Sequence, residues 1–168
     1  MKNSCGAIFY SHDNYGTVGV ILGEEGKEEW LPFKGCAEDG EELEHAAIRE
    51  IKEETCGLVC LDSIKLEHKF SSKRKNYYIG LCYVPFSLIN DFEEKLKAET
   101  RKEFKEKKRL RFFPLESALQ SKEVHNISKA SIEYFWDKIK SKNTEQLSES
   151  NRFHGISEEY AKYLFKRQ

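Results

Sequence analysis

Three glutamates in one short segment have the spacing of neighbours on a helix. Glu50, Glu53 and Glu54 lie at positions i, i+3 and i+4 in the stretch EELEHAAIREIKEET. At about 100° of rotation per residue, their side chains share a stripe about 100° wide. Ile48 and Ile51 fall beside that stripe and can enter a core. The segment therefore predicts a helix with a buried face and, next to it, a dense acidic face.

Such an acidic face is unfavourable for an isolated helix. Like charges at helical spacing cost about a few tenths of a kcal/mol per pair, and carboxylates near the C-terminal end oppose the helix dipole. A hard divalent cation removes this cost, because Mg²⁺ prefers oxygen ligands and keeps waters that substrate phosphates can replace. A solvated helix rich in glutamate and lysine is the simpler interpretation of these residues alone. The residues upstream favour the cation.

The residues upstream complete a longer pattern. Gly35 is followed after five residues by Glu41, and Glu41 after seven residues by the run Arg-Glu-Ile-Lys-Glu-Glu, which begins at Arg49. From Gly35 to Glu54 the pattern resembles the Nudix box of the Nudix hydrolases, with every charged position filled. The resemblance implies the α/β (α+β) fold of that family, an α/β/α sandwich with a mixed central sheet.

The resemblance also implies an activity and a set of residues for it. The activity is hydrolysis of a phosphoric anhydride bond with Mg²⁺ or Mn²⁺ as cofactor. The implied metal ligands are the carbonyl of Gly35 and the carboxylates of Glu50, Glu53 and Glu54. The implied catalytic set adds Arg49, which would pair with Glu41 and orient the helix. A guanidinium fork suits that pairing better than an ammonium would.

The general base is left open by the resemblance, since in this family it comes from the box or from a later loop. Glu99, Glu103 and Glu106 precede the run RLRFF and are candidates for a late carboxylate. Glu103 and Glu106 rank ahead because of their distance from the expected strand. Membership of a solvated charge run is the alternative interpretation for each of them.

The end of the box departs from the family pattern. The family places a glycine two residues after the glutamate pair, whereas this chain reads EETCGLV. Either Cys56 replaces that glycine or one residue is inserted and Gly57 takes its part. We favour the insertion, because glycine adopts a left-handed conformation at the end of a helix more easily than cysteine does.

The residues that would contact the substrate are less well defined. Lys34 is a candidate phosphate contact because it adjoins Gly35. Aromatic rings could stack on a nucleobase, although most aromatic residues of a domain belong to its core. These rings are Trp30, Phe33, Tyr77, Tyr78 and Phe113. A basic turn could hold a phosphate chain, or it could be a solvated hairpin tip. Its cations are Lys69, Lys73, Arg74 and Lys75.

Three functions remain open at this point. The first is a hydrolase of nucleoside polyphosphates or dinucleoside polyphosphates such as diadenosine tetraphosphate, which the run EEWLPFKG favours. The second is a hydrolase of diphosphoinositol polyphosphates or of mRNA caps, which the basic turn favours. The third is a non-catalytic binding module with the same fold, which loss of box carboxylates would favour. All three predict a phosphorylated small molecule as partner, RNA through its cap in the second case, and no membrane; the oligomeric state stays open.

The elements that must position these residues can also be read from the sequence. The alternation of apolar runs with turn residues predicts strands interrupted by the box helix and closed by helices. The predicted strands are 4–10 and 16–24 in an opening hairpin, 57–70 and 76–86 around the basic turn, and 109–115. The predicted helices are 41–55, with a capping box of Asp39 and Glu42, 128–140, and 157–166. Residues 23–30 are expected to form a loop, and residues 91–108 a charge-dense stretch.

The composition agrees with one domain. The chain has 168 residues, with 28 basic and 29 acidic residues and a net charge of −1. We expect a hydrolase domain at 1–142, and a polar linker with a short helix at 143–168 that packs on it. Five cysteines with irregular spacing predict reduced thiols, with a zinc site as the weaker alternative. No leader or membrane span is recognisable, so a cytoplasmic location is expected, with a nuclear one as the alternative.

Overall fold

The computed structural model describes residues 1–141, and these form a mixed sheet with helices. The strands are β1 (Lys2–His12), β2 (Val18–Glu25), β3 (Glu29–Leu31), β4 (Phe33–Cys36), β5 (His68–Ser72), β6 (Lys75–Tyr83) and β7 (Leu110–Pro114). The helices are α1 (Leu43–Glu54), α2 (Leu88–Ala98), α3 (Leu115–Gln120), α4 (Asn126–Tyr134) and α5 (Trp136–Ser141). A single 3-10 turn at Lys102–Phe104 lies between α2 and β7.

The sheet is organised around β1. The strand order is β3-β2-β1-β6-β5, with β4 also paired to β1 and β7 to β2. Strands β1 and β6 run parallel over the register Lys2↔Lys75 to Tyr10↔Tyr83, whereas the other strand pairs are antiparallel. The opening hairpin of β1 and β2 is the one that the sequence predicts.

Both faces of the sheet are covered, which is why the central strand is buried along most of its length. Successive β1 side chains point to opposite faces. Ala7 and Phe9 pack in a core cluster with Ile51 of α1 and Phe92 of α2. Residues Ile8 and Tyr10 pack in a second cluster with the helices α3, α4 and α5. The α/β/α sandwich expected from the sequence is confirmed.

The helix α1 begins and ends differently from the prediction. Glu42 is its N-cap residue and makes no side-chain capping hydrogen bond, so the expected capping box is absent. At the other end, Gly57 has a left-handed backbone (φ 79°), as expected, but Cys56 has one too (φ 52°). Cys56 holds this strained conformation because it is 1% exposed and its thiol donates to the Phe104 carbonyl at 3.2 Å.

Four predicted elements are corrected by the structure. The run 23–30 is not a plain loop, since β2 continues to Glu25 and β3 begins at Glu29. Of the expected strand 57–70, only residues 68–70 are in a strand, and they begin β5. The charge-dense stretch contains most of α2, whose Leu88 and Phe92 face the core. The expected helix 128–140 is divided at Phe135 into α4 and α5.

The predicted helix 157–166 lies outside the described residues, as does the predicted packing of the tail. Within residues 1–141, each helix is too short or too polar to cross a bilayer.

Candidate active site

The predicted box residues meet in an open cleft of about 670 Å³ at one end of the sheet. Its acidic side chains are Glu25, Glu50, Glu53, Glu54, Glu103 and Glu106. Its basic side chains are Lys34, Lys75 and Lys102. We call this cavity the acidic cleft. The strands β2 and β4, the helix α1 and the segment between α2 and β7 all contribute to it, so it forms only in the folded chain.

Gly35 lines the acidic cleft at a point where a side chain would not fit. It lies in β4, opposite Cys5 of β1. A Cβ atom on Gly35 would lie 2.1 Å from the carboxyl carbon of Glu50, a distance that real Cβ atoms do not adopt. The absence of a side chain therefore lets the Glu50 carboxylate lie against the backbone of β4.

Arg49 connects the parts of the box. Its Nε and Nη2 atoms donate to the two carboxylate oxygens of Glu41 at 2.9 and 3.0 Å. Its Nη1 donates to Glu50 Oε1 at 2.9 Å and lies 3.5 Å from Glu53 Oε2. Nη2 also donates to the Cys36 carbonyl at 3.2 Å. The hydrogen bonds from Arg49 lower the pKa of Glu41 to about 2. The guanidinium thus ties the glutamates of α1 to the preceding loop and to β4, in the fork geometry expected for arginine.

Glu54 is the most enclosed carboxylate of the cleft. It is 1% exposed, and its Oε1 accepts a hydrogen bond from the Lys34 backbone N–H at 2.7 Å. Its Oε2 receives no hydrogen bond from any residue of the described chain. Burial raises the pKa of Glu54 well above its ordinary value, against the attraction of Lys107. Burial also raises the pKa of Glu50, against the attraction of Arg49. Because burial is the largest cause of both shifts, a further cation in the cleft would favour the ionised form of each carboxylate.

A second group of carboxylates lies where the box meets two other elements. Oxygens of Glu25 from β2, Glu54 from α1 and Glu106 from the segment before β7 all lie within 4.8 Å of one another. Glu106 was expected as a candidate late carboxylate, and the structure places it in this group. Glu103 lines the cleft from the 3-10 turn and is exposed.

Two residues of this region were not identified from the sequence. Glu25 lies at the end of β2, and Lys107 is 0% exposed, with its Nζ 2.9 Å from Glu25 Oε1. Burial raises the pKa of Glu25, but the charge and hydrogen bond of Lys107, with smaller effects of Glu54 and Lys34, together leave that pKa below its ordinary value. No local signal marks Lys107, because it stands in the run KEKKRLR, which reads as a solvated surface.

The residues predicted to contact the substrate lie in different parts of the structure. Lys34 lines the acidic cleft, and burial lowers its pKa. Arg74 lines a neighbouring cleft of about 780 Å³, together with Lys2, Lys73 and Lys75. We call this second cavity the basic cleft; Lys75 lines both clefts.

Three of the predicted contacts lie elsewhere. Trp30 is 2% exposed, packs edge-on against Phe113 in the core and lines neither cleft, which does not favour its predicted role as a substrate contact. Tyr78 packs in the cluster of Cys5 and Ala46 under α1. Lys69 is exposed on β5, opposite Tyr78 in the adjacent strand, and neither residue lines either cleft.

The donor set of the acidic cleft fits a hard divalent cation. Carboxylate oxygens are the protein ligands that Mg²⁺ and Mn²⁺ prefer. The buried Oε2 of Glu54 lacks a donor among residues 1–141, and a cation is one partner that would satisfy it. The Glu50 carboxylate lies against the backbone of β4 at Gly35. The residues that could hold it are Glu50, Glu53, Glu54 and Glu106, with the carbonyl of Gly35.

Together, the sandwich fold and this carboxylate-lined cleft define a class of metal-dependent hydrolases. The family described as the NUDIX domain matches residues 8–135 of the chain. The chain belongs to the NUDIX family, and the expected class of enzyme, a hydrolase of phosphoric anhydride bonds, is confirmed.

Solved structures of this family have the same fold. An Ap4A hydrolase of C. elegans in a binary complex is 17% identical with a TM-score of 0.58, over 84% of this chain and 100% of that one. A mutT/nudix family protein of Listeria innocua is 17% identical with a TM-score of 0.56, over 83% and 94%. The dihydroneopterin triphosphate pyrophosphohydrolase of E. coli is 18% identical with a TM-score of 0.51, over 81% and 95%. No curated protein matches the sequence.

Proposed function

We propose that this protein hydrolyses a diphosphate bond in a nucleoside polyphosphate or a dinucleoside polyphosphate such as diadenosine tetraphosphate, with Mg²⁺ or Mn²⁺. The observation that carries the proposal is the contact between the two clefts through Lys75. Carboxylates for cations line one cleft, and Lys2, Lys73 and Arg74 line the other. A chain of several phosphates can therefore extend from the metal ligands along a basic surface.

The residues divide between binding and proton transfer in this proposal. Glu50, Glu53 and Glu54 hold the ions, and Arg49 fixes the orientation of Glu50 and Glu53 through its bond to Glu41. The bound metal would neutralise charge on the transferred phosphoryl group and lower the pKa of a coordinated water. Glu106 accepts a proton from the attacking water, because it is the exposed member of the group with Glu25 and Glu54. Lys34 and Lys75 bind phosphate oxygens at the wall of the acidic cleft.

The fold of an Ap4A hydrolase is similar to that of this chain, which supports a dinucleoside polyphosphate. The burial of Trp30 removes one expected stacking partner for the base. We therefore assign specificity to the number of phosphates rather than to the base.

A hydrolase of diphosphoinositol polyphosphates is the second candidate. The basic cleft supports it, because several phosphates on one ring need several cations on one surface. An mRNA cap is a further candidate substrate that carries several phosphates. Substrates with many phosphates in a chain and on a ring differ in shape, so kinetics can separate them.

One panel tests the proposal. The kcat/KM of the purified chain is measured with Mg²⁺ and with Mn²⁺ for diadenosine tetraphosphate, nucleoside triphosphates, ADP-ribose, capped RNA and a diphosphoinositol polyphosphate. We expect the highest value for diadenosine tetraphosphate and complete loss of turnover with a chelator. We expect Glu53→Gln to lower kcat at least about a hundredfold, since a metal ligand acts in the transition state.

The matched control is Glu133→Gln, because Glu133 is exposed on α4 and lines neither cleft. Its kcat should equal that of the wild type. A higher kcat/KM for the diphosphoinositol polyphosphate or for capped RNA would transfer the assignment to that substrate. Tight binding of the panel without turnover would instead identify a non-catalytic module and refute the hydrolase.

A further inference from the structure

Lys107 is a cation of the protein itself inside the carboxylate group of the acidic cleft. Its side chain is 0% exposed. Its Nζ lies 2.9 Å from Glu25 Oε1 and 3.7 Å from Glu54 Oε1, and it donates to the Pro32 carbonyl at 2.9 Å. The ammonium therefore lies within 4 Å of three oxygens, from β2, from α1 and from the residue between β3 and β4.

The fold makes space for this side chain. A Cβ atom on Gly23 of β2 would lie 2.5 Å from the Lys107 Cδ, so the lysine stem crosses β2 where that strand has no side chain. The Nζ also lies 5.3 Å from the centroid of the Phe33 ring, a cation–π contact. Burying an unpaired ammonium is strongly unfavourable, because the charge loses its hydration. Its charge must therefore be balanced by the carboxylates beside it.

The Lys107 ammonium lies beside a group of carboxylates that could hold a metal ion. Oxygens of Glu25, Glu54 and Glu106 lie within 4.8 Å of one another and form a group that could hold an ion. Two of these three carboxylates already contact the Lys107 ammonium. A divalent ion on Glu25 and Glu54 would be repelled by that ammonium at short range.

We propose that Lys107 is a positioning residue that replaces one divalent ion: it holds Glu25 beside Glu54 and reduces by one the number of metal ions that the acidic cleft binds. The inference rests on the proposed metal-dependent function, and concerns how many ions that function uses. Glu54 keeps its second oxygen for an ion shared with the other glutamates of α1. Glu25 serves Lys107 rather than a metal.

The test is a count of bound ions in the absence of substrate. Mn²⁺ is titrated into the chelator-treated protein, and bound Mn²⁺ per chain is measured by electron paramagnetic resonance and by calorimetry. Lys107→Met removes the charge and keeps an unbranched apolar stem. We expect this variant to bind one more Mn²⁺ per chain than the wild type, and to gain more in Tm when Mn²⁺ replaces the chelator.

The control variant comes from the next residue. Lys108 is exposed, and its ammonium donates to the Gly26 carbonyl at 2.8 Å. Lys108→Met should bind as many Mn²⁺ ions as the wild type and show the same gain in Tm. An unchanged ion count in Lys107→Met, with an unchanged gain in Tm, would overturn the proposal.

A double variant covers the case in which Lys107→Met does not fold. Lys107→Met with Glu25→Gln removes one charge of each sign, so the buried pair is replaced by two neutral groups. We expect it to fold with chelator present and to bind as many ions as the wild type, because the additional ion requires Glu25. An additional ion in this double variant would overturn the assignment of Glu25 to Lys107.

The outcome is independent of the substrate. If the count changes as expected but no member of the panel is hydrolysed, the inference about Lys107 stands and the proposed function fails. If diadenosine tetraphosphate is hydrolysed and the count is the same in all variants, the function stands and the role of Lys107 is refuted.

Discussion

At the scale of single residues, the acidic cleft contains two kinds of carboxylate. Glu50 and Glu54 are buried, and burial raises the pKa of each, so they gain most from a cation. Glu53 and Glu106 are more exposed, so their carboxylates can exchange protons with water. The acidic cleft therefore combines buried and exposed carboxylates, and the exposed ones are better suited to proton transfer.

Glu106 and Glu103 were not separated by the sequence, and the structure favours Glu106. It belongs to the group with Glu25 and Glu54, whereas Glu103 lines the cleft from the 3-10 turn. We expect Glu106→Gln to lower kcat about a hundredfold, the usual range for loss of a general base, and Glu103→Gln to lower it less. Steady-state kinetics with saturating Mg²⁺ measures both.

Glu94→Gln is the control for this pair, because Glu94 is exposed on α2 and pairs only with the nearby Lys97 among the ion pairs of residues 1–141. It should keep the wild-type kcat. A larger loss of kcat in Glu103→Gln than in Glu106→Gln would move the proton acceptor to the 3-10 turn.

At the scale of elements, the position of α1 depends on the pair of Arg49 and Glu41. The bidentate hydrogen bonds and the bond to the Cys36 carbonyl join the helix to the loop and strand before it. This pair could be predicted from the sequence because its spacing is fixed within one contiguous pattern. The Nudix box was identified for the same reason.

The acid dependence of stability should reveal this pair. The pKa of Glu41 is about 2 in the folded chain, below its ordinary value of 4.5. Since the folded pKa is depressed, the ionised carboxylate stabilises the fold above about pH 4.5, and this contribution is lost as the pH falls towards 2. We expect Glu41→Gln to be less stable than the wild type at neutral pH and to approach it at acid pH.

Urea denaturation at several pH values between 2 and 7 measures the difference. Glu42→Gln serves as the control, because Glu42 is exposed and its pair with His45 is 3.9 Å long. Its stability relative to the wild type should change little between these pH values. A deficit of Glu41→Gln that is as large at pH 2 as at neutral pH would contradict the role of the pair.

Three features of the fold have no clear pattern in the sequence: helix α2, the short strands β3 and β4, and the end of helix α4. In α2, Leu88 and Phe92 lie four residues apart and face the core, but acidic residues stand on both sides of Phe92 in the chain. The strands β3 and β4 have three and four residues, too few to show an alternation. Helix α4 ends where Phe135 turns into the core, which helical spacing alone does not indicate.

At the scale of the whole molecule, the overall fold could be predicted from the sequence, but the pairing of Lys107 with Glu25 in the acidic cleft could not. The box fixed the family, and the family implied the sandwich. Lys107 and Glu25 meet only because β2 and the segment before β7 are neighbours in space, although far apart in sequence. Contacts of this kind leave no local pattern, which is why Lys107 looked like part of a solvated charge run.

The reactivity of the five cysteine thiols is a measure of how well the domain is packed around them. Burial raises the pKa of Cys5 and of Cys56 to about 11, and that of Cys82 to about 12. Since the thiolate is the reactive form, these three should resist iodoacetamide at pH 8 while the protein is folded. Cys36 and Cys60 are half-buried and should react first.

Peptide mapping by mass spectrometry after a timed reaction locates each modified cysteine. The same reaction in denaturant is the control, and there all five should be modified. Rapid labelling of Cys82 in the folded protein would show that the sheet centre is less well packed than the structure indicates.

The parallel pair at the centre of the sheet has a consequence for folding. The strand β1 cannot complete its pairing until β6 is available, because Lys2 pairs with Lys75 and Tyr10 with Tyr83. On a ribosome, the opening hairpin would emerge with one apolar edge uncovered while the box helix and the next hairpin are still being made. Closing such a distant contact is slow. The nascent chain therefore exposes this edge of β1 until β6 has been made, and this is a stage at which a chaperone would protect it from aggregation.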